Sequence, residues 1–283
     1  MSPFIDFAFL DSGTGGIPYM LELKKKCPDA RCVYMGDTAH FPYGQKSEKE
    51  ITDCASQALS VIINTWNPKT VVIACNTISV TSLSDLRALF PDTPIVGTVP
   101  AIKLAAKVTR NKNIGLLATN ATVHHPYNQK LIQDYASDCH VFNRGDPDLI
   151  AFIEHDLFNA GRKERLKAVQ PAVSFFLENN CDTIILGCTH FTHIAEDISQ
   201  AAGSGVQVVD SRDGVANQAL RVEQKQIEQS AQEKNVLRAL PPDQSFFVTA
   251  LRNTEDEREY AALCKNAGIS WGGMLTNVTL SRQ

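Results

Sequence analysis

Thr70-Val-Val-Ile-Ala-Cys-Asn-Thr77 decides the fold. Five residues suited to a buried parallel strand run into a cysteine followed by small polar groups. Alone, such a cysteine reads as core packing, because free Cys is among the most buried residue types. A second copy changes that reading. Thr183-Ile-Ile-Leu-Gly-Cys-Thr-His190 sets Thr183 against Thr70, Cys188 against Cys75, and Thr189-His190 against Asn76-Thr77. Two strands deliver two thiols to equivalent positions. Both lie beyond C-terminal strand ends, where open α/β sheets carry their ligand sites.

The flanking chain repeats with them. In the first half a strand over about 4–10 ends at Asp11-Ser12, and one over 32–35 ends at Gly36-Asp37. The Cys75 strand follows, and then one that ends at Gly97-Thr98. In the second half the matching ends are Ala118-Thr119, Gly145-Asp146, Cys188 and Asp210-Ser211. Gly97 follows Cys75 by 22 residues, and Asp210 follows Cys188 by 22. The intervening stretches read as helices over 17–26, 48–66, 80–90, 102–109, 127–135, 149–158, 163–178 and 191–202. Ser47 caps the second of these, with Glu48 and Glu50 in its first turn. Strand and helix alternate in each half, which predicts an α/β fold of two similar domains related by a pseudo-twofold duplication. Each domain has a mainly parallel sheet flanked by helices, and the active site lies in the cleft between them. Residues 1–97 and 210–283 form the first domain and 98–209 the second. The final segment reads as a polar helix over 214–239 stopped by Pro241-Pro242, a strand over 245–250 and a helix over 254–267. It is expected to pack back on the first domain. The Trp271-Gly-Gly-Met274 tail carries no clear pattern.

Composition narrows the function classes. The chain has 283 residues, 43% apolar and 20% charged, as expected of a globular protein with ample core. The net charge is −4 and there is no strong Lys/Arg cluster, so nucleic acid is not the main partner. No apolar run reaches the roughly 18 residues of a membrane span, and Met1-Ser-Pro-Phe-Ile-Asp-Phe7 has no basic n-region. Neither a membrane nor a signal peptide is expected. Eight cysteines without CxxC pairs read as reduced thiols in a cytoplasm.

With the domains face to face, the two cysteines meet across the cleft. A thiolate takes a proton from one face of a carbon while the opposite thiol returns one, inverting the centre without a redox step. Each thiol has a candidate partner: His190 stands two residues past Cys188, and Asp11 ends the strand that should lie beside Cys75. Ser12, Asn76, Thr77, Thr119, Thr122 and Thr189 are small groups suited to binding a carboxylate. Cys27, Cys32, Cys54, Cys139, Cys181 and Cys264 lack such settings and read as structural. A metal at Cys188, His190 and His193 is the competing reading, but no further ligands complete a tetrahedral site. No metal and no cofactor is expected. His124-His125 reads as a surface pair, and His40 as a border of the site.

Asp11-Ser-Gly-Thr-Gly-Gly16, Gly36-Asp-Thr38 with Pro42-Tyr-Gly44, Ala74-Cys-Asn-Thr77 and Gly187-Cys-Thr-His190 together resemble, in order, the motifs of bacterial glutamate racemases. The cysteine motifs are shared with the wider cofactor-independent aspartate/glutamate racemase superfamily; the Gly-Asp-Thr and Pro-Tyr-Gly pair looks specific to glutamate racemase. The resemblance implies that Cys75 acts on D-glutamate with help from Asp11, and Cys188 on L-glutamate with help from His190. It implies that Ser12, Asn76, Thr77 and Thr189 hold the amino-acid head. Backbone amides around Tyr43 and Gly44, in the turn that Pro42 opens, would hold the side-chain carboxylate, with help from Thr119 or Thr122. It also implies a homodimer that supplies D-glutamate for peptidoglycan.

One stretch departs from the family. Its Pro-Leu-Val-Glu sequence is replaced by the longer Asn143-Arg-Gly-Asp-Pro-Asp-Leu-Ile-Ala-Phe-Ile-Glu154, which lacks that proline. Glu154 is the best match to the glutamate that orients the histidine, with His155 and Asp156 beside it. An aspartate racemase and a silent glutamate-binding regulator are the other readings. Pro42-Tyr-Gly44 argues against the first. Retention of both thiols with Asp11 and His190 argues against the second.

Overall fold

A strand that is apolar on both faces needs cover on both faces, and the strands here are of that kind. The computed structural model describes residues 5–229 and 241–275, with side chains of 225–229 left aside. The first strands are β1 (Phe7–Asp11), β2 (Cys32–Gly36), β3 (Thr70–Ile73) and β4 (Ile95–Gly97). They are followed by β5 (Asn113–Ala118), β6 (His140–Gly145), β7 (Thr183–Leu186) and β8 (Gln207–Val209). The last two are β9 (Ser245–Val248) and β10 (Ser270–Met274). They form two sheets, in the orders β10-β9-β2-β1-β3-β4 and β6-β5-β7-β8, with every pairing parallel.

The order β2-β1-β3-β4 in one sheet corresponds to β6-β5-β7-β8 in the other. In each, the chain reverses its direction of winding between the two central strands. That switch point opens a crevice at the C-terminal strand ends. Asp11 ends β1 and Cys75 follows β3; Thr119 follows β5 and Cys188 follows β7. The duplicated sequence pattern thus puts all four at equivalent crevices.

The helices are α1 (Ile17–Lys26), α2 (Glu48–Trp66), α3 (Asn76–Leu89), α4 (Ile102–Val108), α5 (Asn120–His124) and α6 (Pro126–Tyr135). Then come α7 (Pro147–His155), α8 (Arg162–Glu178), α9 (Ala195–Ala202), α10 (Arg212–Gln229) and α11 (Thr254–Ala267). In α2 the buried residues Ile51, Ala55, Ala58, Leu59, Ile62 and Trp66 recur at helical spacing and face the first sheet. Ser47 and Glu50 close a reciprocal capping box at its start, worth about 1 kcal/mol. The final segment returns to the first sheet, where β9 pairs with β2 and α10 packs on α1.

Three local expectations shift. Residues 143–147 read from sequence as a loop after a short strand over 139–142; instead β6 pairs with β5 along its whole length to Gly145, and Asp146 then caps α7 with Pro147 in its first turn. Residues 189–194 form a 3₁₀ turn before α9, so the thiol end of that helix is more tightly wound than the periodicity predicts. Trp271-Gly-Gly-Met274 is strand, bulged between Trp271 and Gly273 where the glycines break the apolar alternation. The polar helix is observed to Gln229; its continuation to 239 lies outside the described residues, as does Phe4.

Candidate active site

Cys75 and Cys188 line one cavity between the two sheets. Asp11, Ser12, Asn76 and Thr77 border it from the first sheet, with Pro42, Tyr43 and Gly44. Thr119, Thr189 and His190 border it from the second. Thr122 does not reach it. That residue stands behind Thr119, whose hydroxyl donates to Thr122 Oγ1 at 3.0 Å, and it fixes the rotamer of the residue that does line the cavity.

The Cys75 limb is built at the switch point of the first sheet. Cys75 caps the N-terminus of α3, and Asp11 is fully buried beside it. Asp11 Oδ1 accepts from the Ser12 amide at 2.7 Å, and Oδ2 accepts from Thr189 Oγ1 at 3.0 Å, across from the other sheet. Burial raises the Asp11 carboxyl above its usual range, against the opposing His190 charge and these donors. Burial also pushes the Cys75 thiol well up; the Asp11 charge adds to this, and the Ile78 amide opposes it. Burial thus favours the protonated form at both groups of this limb.

The Cys188 limb is polarised the other way. His190 Nδ1 lies 3.7 Å from Cys188 Sγ, and its Nε2 donates to Glu154 Oε2 at 2.9 Å, with both partners nearly inaccessible. Burial by itself disfavours the imidazolium, but hydrogen bonds to Cys188 and Glu154 outweigh it and raise His190 well above its ordinary value. Burial likewise disfavours the Glu154 carboxylate, and the His190 and Thr14 contacts outweigh it and hold the group below its usual range. Thr14 donates to Glu154 Oε2 twice, from its amide at 3.0 Å and its hydroxyl at 2.7 Å. Neither His155 nor Asp156 takes this place.

The Asp11–Gly16 loop owes its glycines to this packing. A Cβ on Gly13 would stand 2.6 Å from Glu154 Oε1, and one on Gly15 would stand 2.6 Å from His190 Nδ1. The loop accepts side chains from the facing half, so its glycines serve close approach of the two halves.

The Gly36-Asp-Thr38 motif acts at one remove. Buried Asp37 accepts from the Tyr43 hydroxyl, from Thr249 Oγ1 at 2.7 Å, and from His40 Nδ1 at 2.9 Å. It anchors the Pro42-Tyr43-Gly44 turn against the cavity, and His40 serves that anchor. Thr77 and Thr119 meet across the cleft at 3.0 Å. The Asn76 side chain is buried at the cavity edge, and neither its oxygen nor its nitrogen has a hydrogen-bond partner among the described residues.

Sequence reasoning missed Phe41, Gln45, Asn120, Pro147, Ile150 and Ala151, which also line the cavity. Phe41 and Asn120 adjoin quoted motifs, a usable signal. Pro147, Ile150 and Ala151 come from one face of α7, which only tertiary packing assigns to the cavity. His193 turns away from the thiol: its Nε2 donates to the Thr14 carbonyl at 3.0 Å, and burial lowers it to about 4. Among the described residues no group of three or more His, Cys, Asp and Glu is arranged to hold a metal ion. Among them, too, no helix is long and apolar enough to cross a membrane.

Two parallel sheets, switch points facing one another, with one thiol from each at a shared cavity and an ionisable partner for each thiol, define an α/β protein of the paired-thiol kind. Residues 21–219 match the Asp/Glu/Hydantoin racemase family. The chain is 36% identical over 271 residues to the glutamate racemase of Treponema pallidum (strain Nichols), covering 95% of this chain and 96% of that one. It is 39% identical over 208 residues to that of Proteus mirabilis (strain HI4320), covering 73% and 72%. The crystal structure of Escherichia coli glutamate racemase, in complex with L-glutamate and the activator UDP-MurNAc-ala, superposes with a TM-score of 0.81. It is 28% identical, covering 97% of this chain and 98% of that one. The chain belongs to the Asp/Glu/hydantoin racemase family.

Proposed function

We propose that this chain interconverts L- and D-glutamate by passing a proton through Cα between two thiols, with no cofactor. One observation carries the reading: Cys75 and Cys188 border one cavity from opposite sheets, each beside its own ionisable partner. The overall likeness to glutamate racemases supports the substrate.

With L-glutamate, the Cys188 thiolate takes the Cα proton, and the protonated His190 beside it stabilises the thiolate. The Cys75 thiol returns a proton to the opposite face, leaving D-glutamate and a thiolate at Cys75. The reverse reaction exchanges the roles, with Asp11 managing the Cys75 proton. Glu154 keeps His190 oriented and charged. Ser12, Asn76, Thr77 and Thr189 hold the amino-acid head. The unpartnered Asn76 amide, one acceptor and one two-proton donor, matches a group that carries both an ammonium and a carboxylate. Amides of the Pro42-Tyr43-Gly44 turn, with Thr119, take the side-chain carboxylate, and Thr122 acts through Thr119. Residues 1–97 with 210–283 and residues 98–209 form the two domains that close on the substrate. The enzyme works in the cytoplasm as a homodimer and supplies D-glutamate for peptidoglycan.

The test is early-time mass spectrometry of separated enantiomers, with L-glutamate in deuterium oxide and no added cofactor. Because the donating thiol exchanges with solvent before substrate arrives, new D-glutamate carries deuterium at Cα while unreacted L-glutamate stays protonated. Replacing either cysteine by Ala abolishes racemisation in both directions. Product that retains the substrate's own protium would overturn the two-thiol scheme.

A further inference from the structure

The Asp11–Gly16 loop contributes more than close approach. Thr14 is fully buried; its amide and hydroxyl are spent on the Cys188 limb, and its carbonyl accepts from the Ile17 amide at 3.1 Å as well as from His193. Its amide and hydroxyl both donate to Glu154 Oε2, the same oxygen that binds His190 Nε2. Its carbonyl accepts from His193 Nε2 at 3.0 Å. Glu154 Oε1 has no hydrogen-bond partner among the described residues. Three donors thus converge on one oxygen of the carboxylate and none on the other. That asymmetry fixes the carboxylate plane and points one loaded lone-pair region at the imidazole. Thr14 belongs to the first sheet's loop, while Glu154, His190 and Cys188 belong to the second sheet's surroundings.

We infer that Thr14 is a positioning residue for the reaction: its hydroxyl, carried on a backbone that Ile17 and His193 hold through the carbonyl, keeps the Glu154 carboxylate on His190 and so stabilises negative charge on Cys188. The inference rests on the two-thiol reading above. His193 is suited to that hold because, kept neutral, it donates to the carbonyl without placing a second cation beside His190.

The consequence is directional. Charge sits on Cys188 at the outset of L-to-D conversion, but it develops there only during D-to-L conversion. Only a contribution that differs between ground state and transition state moves kcat. Weakening the hold on Glu154 therefore lowers kcat from D-glutamate more than kcat from L-glutamate. The enantiomers have equal free energy in solution, so kcat/KM must stay equal in the two directions, and KM for L-glutamate rises relative to that for D-glutamate. A loss that is merely structural scales both kcat values alike.

The experiment measures initial rates in both directions by circular dichroism, for the wild type, Thr14→Val, Thr14→Ser, Glu154→Gln and the Thr14→Val/Glu154→Gln double variant. Removing one hydrogen bond to a charged group should move the D-to-L over L-to-D ratio of kcat by about three- to tenfold in Thr14→Val. Thr14→Ser keeps the hydroxyl and should keep the wild-type ratio. In the Glu154→Gln background, Thr14→Val should leave the ratio where Glu154→Gln alone puts it, because the effect passes through Glu154. An unchanged ratio in Thr14→Val, a Thr14→Ser ratio matching Thr14→Val, or a full additional shift in the double variant would each overturn the inference. Should Thr14→Val fail to fold, a Thr14→Ser ratio equal to that of Glu154→Gln would overturn it, and a wild-type ratio would support it. A wild type that does not racemise glutamate would instead overturn the two-thiol reading itself.

Discussion

Gly13→Ala adds one methyl group, and the structure says what it meets. The new Cβ would stand 2.6 Å from Glu154 Oε1 and 2.7 Å from both Cδ and Oε2. Ordinary contact begins at 3.4 Å, so the carboxylate must yield by about 0.8 Å. It has no free direction, being held by the Thr14 amide at 3.0 Å, the Thr14 hydroxyl at 2.7 Å and His190 Nε2 at 2.9 Å. A displacement of about that size away from His190 stretches the last bond past the roughly 3.6 Å at which it ceases to be one; toward His190, it forces the ring off Cys188. Overpacking of this kind costs about 1–3 kcal/mol, and misplacing a reacting group by about 1 Å costs about a hundredfold in rate. Gly13→Ala should therefore lower Tm by several degrees and kcat by about ten- to a hundredfold. The assay pairs thermal melting with circular-dichroism rates on glutamate. Gly214→Ala is the control, because nothing lies within 4 Å of its added Cβ and it sits in α10, where the change should stabilise by up to about 1 kcal/mol. Wild-type Tm and kcat in Gly13→Ala would refute the claim that the loop's glycines exist to admit Glu154.

Two further outcomes follow from the electrostatics. Asp11 is raised by burial, so its ionised form opposes folding and stability is lost as pH rises above the ordinary carboxyl value of 3.8. Asp11→Asn should hold or raise Tm at neutral pH while lowering kcat at least tenfold, and a lower Tm with unchanged kcat would contradict this. The Glu154–His190 pair has the opposite sign. Raised His190 stabilises fully below 6.5 and loses that contribution as pH rises through its folded value, while lowered Glu154 stabilises above 4.5 and loses its share as pH falls through its folded value. The Tm difference between wild type and Glu154→Gln should be largest between these limits and shrink toward alkaline pH; a difference that grows there would be inconsistent with a charged pair.

The strand-end repeat was legible because parallel strands buried on both faces leave a near-continuous apolar run, and a polar or ionisable group that borders the cavity follows the runs of β1, β3 and β7 directly. Cys75 and Cys188 were found in that way, and Asp11 by the same rule. The Ser47 cap and the Thr254–Ala267 helix were legible because both signals are local. Glu154 was harder, since nothing in residues 143–156 distinguishes it from its neighbours until α7 is packed beside the Cys188 turn. Thr14 and the α7 wall were not legible at all. Their roles depend on which surface of the other half they touch, and no periodicity within one half encodes that.

Neither limb of the site is complete within one sheet's own neighbourhood. Asp11, from the first sheet, is held by Thr189 from the second; Glu154, packed beside the second, is held by Thr14 from the first. The pairing crosses the cleft in both directions, so separating the halves removes a donor from each carboxylate at once. A buried carboxylate stripped of its donors bears the desolvation cost that those bonds offset. In the proposed two-thiol scheme, closure of the halves and acid–base competence are consequently one equilibrium. The two limbs respond unequally: Asp11, disfavoured as an anion by burial, is relieved by water entering, whereas Glu154 loses the Thr14 donors that hold its carboxylate on His190. The Cys75 limb is set by exclusion of water and the Cys188 limb by a buried ion pair. A symmetric duplication has thus produced two thiols whose surroundings are set by different physical means.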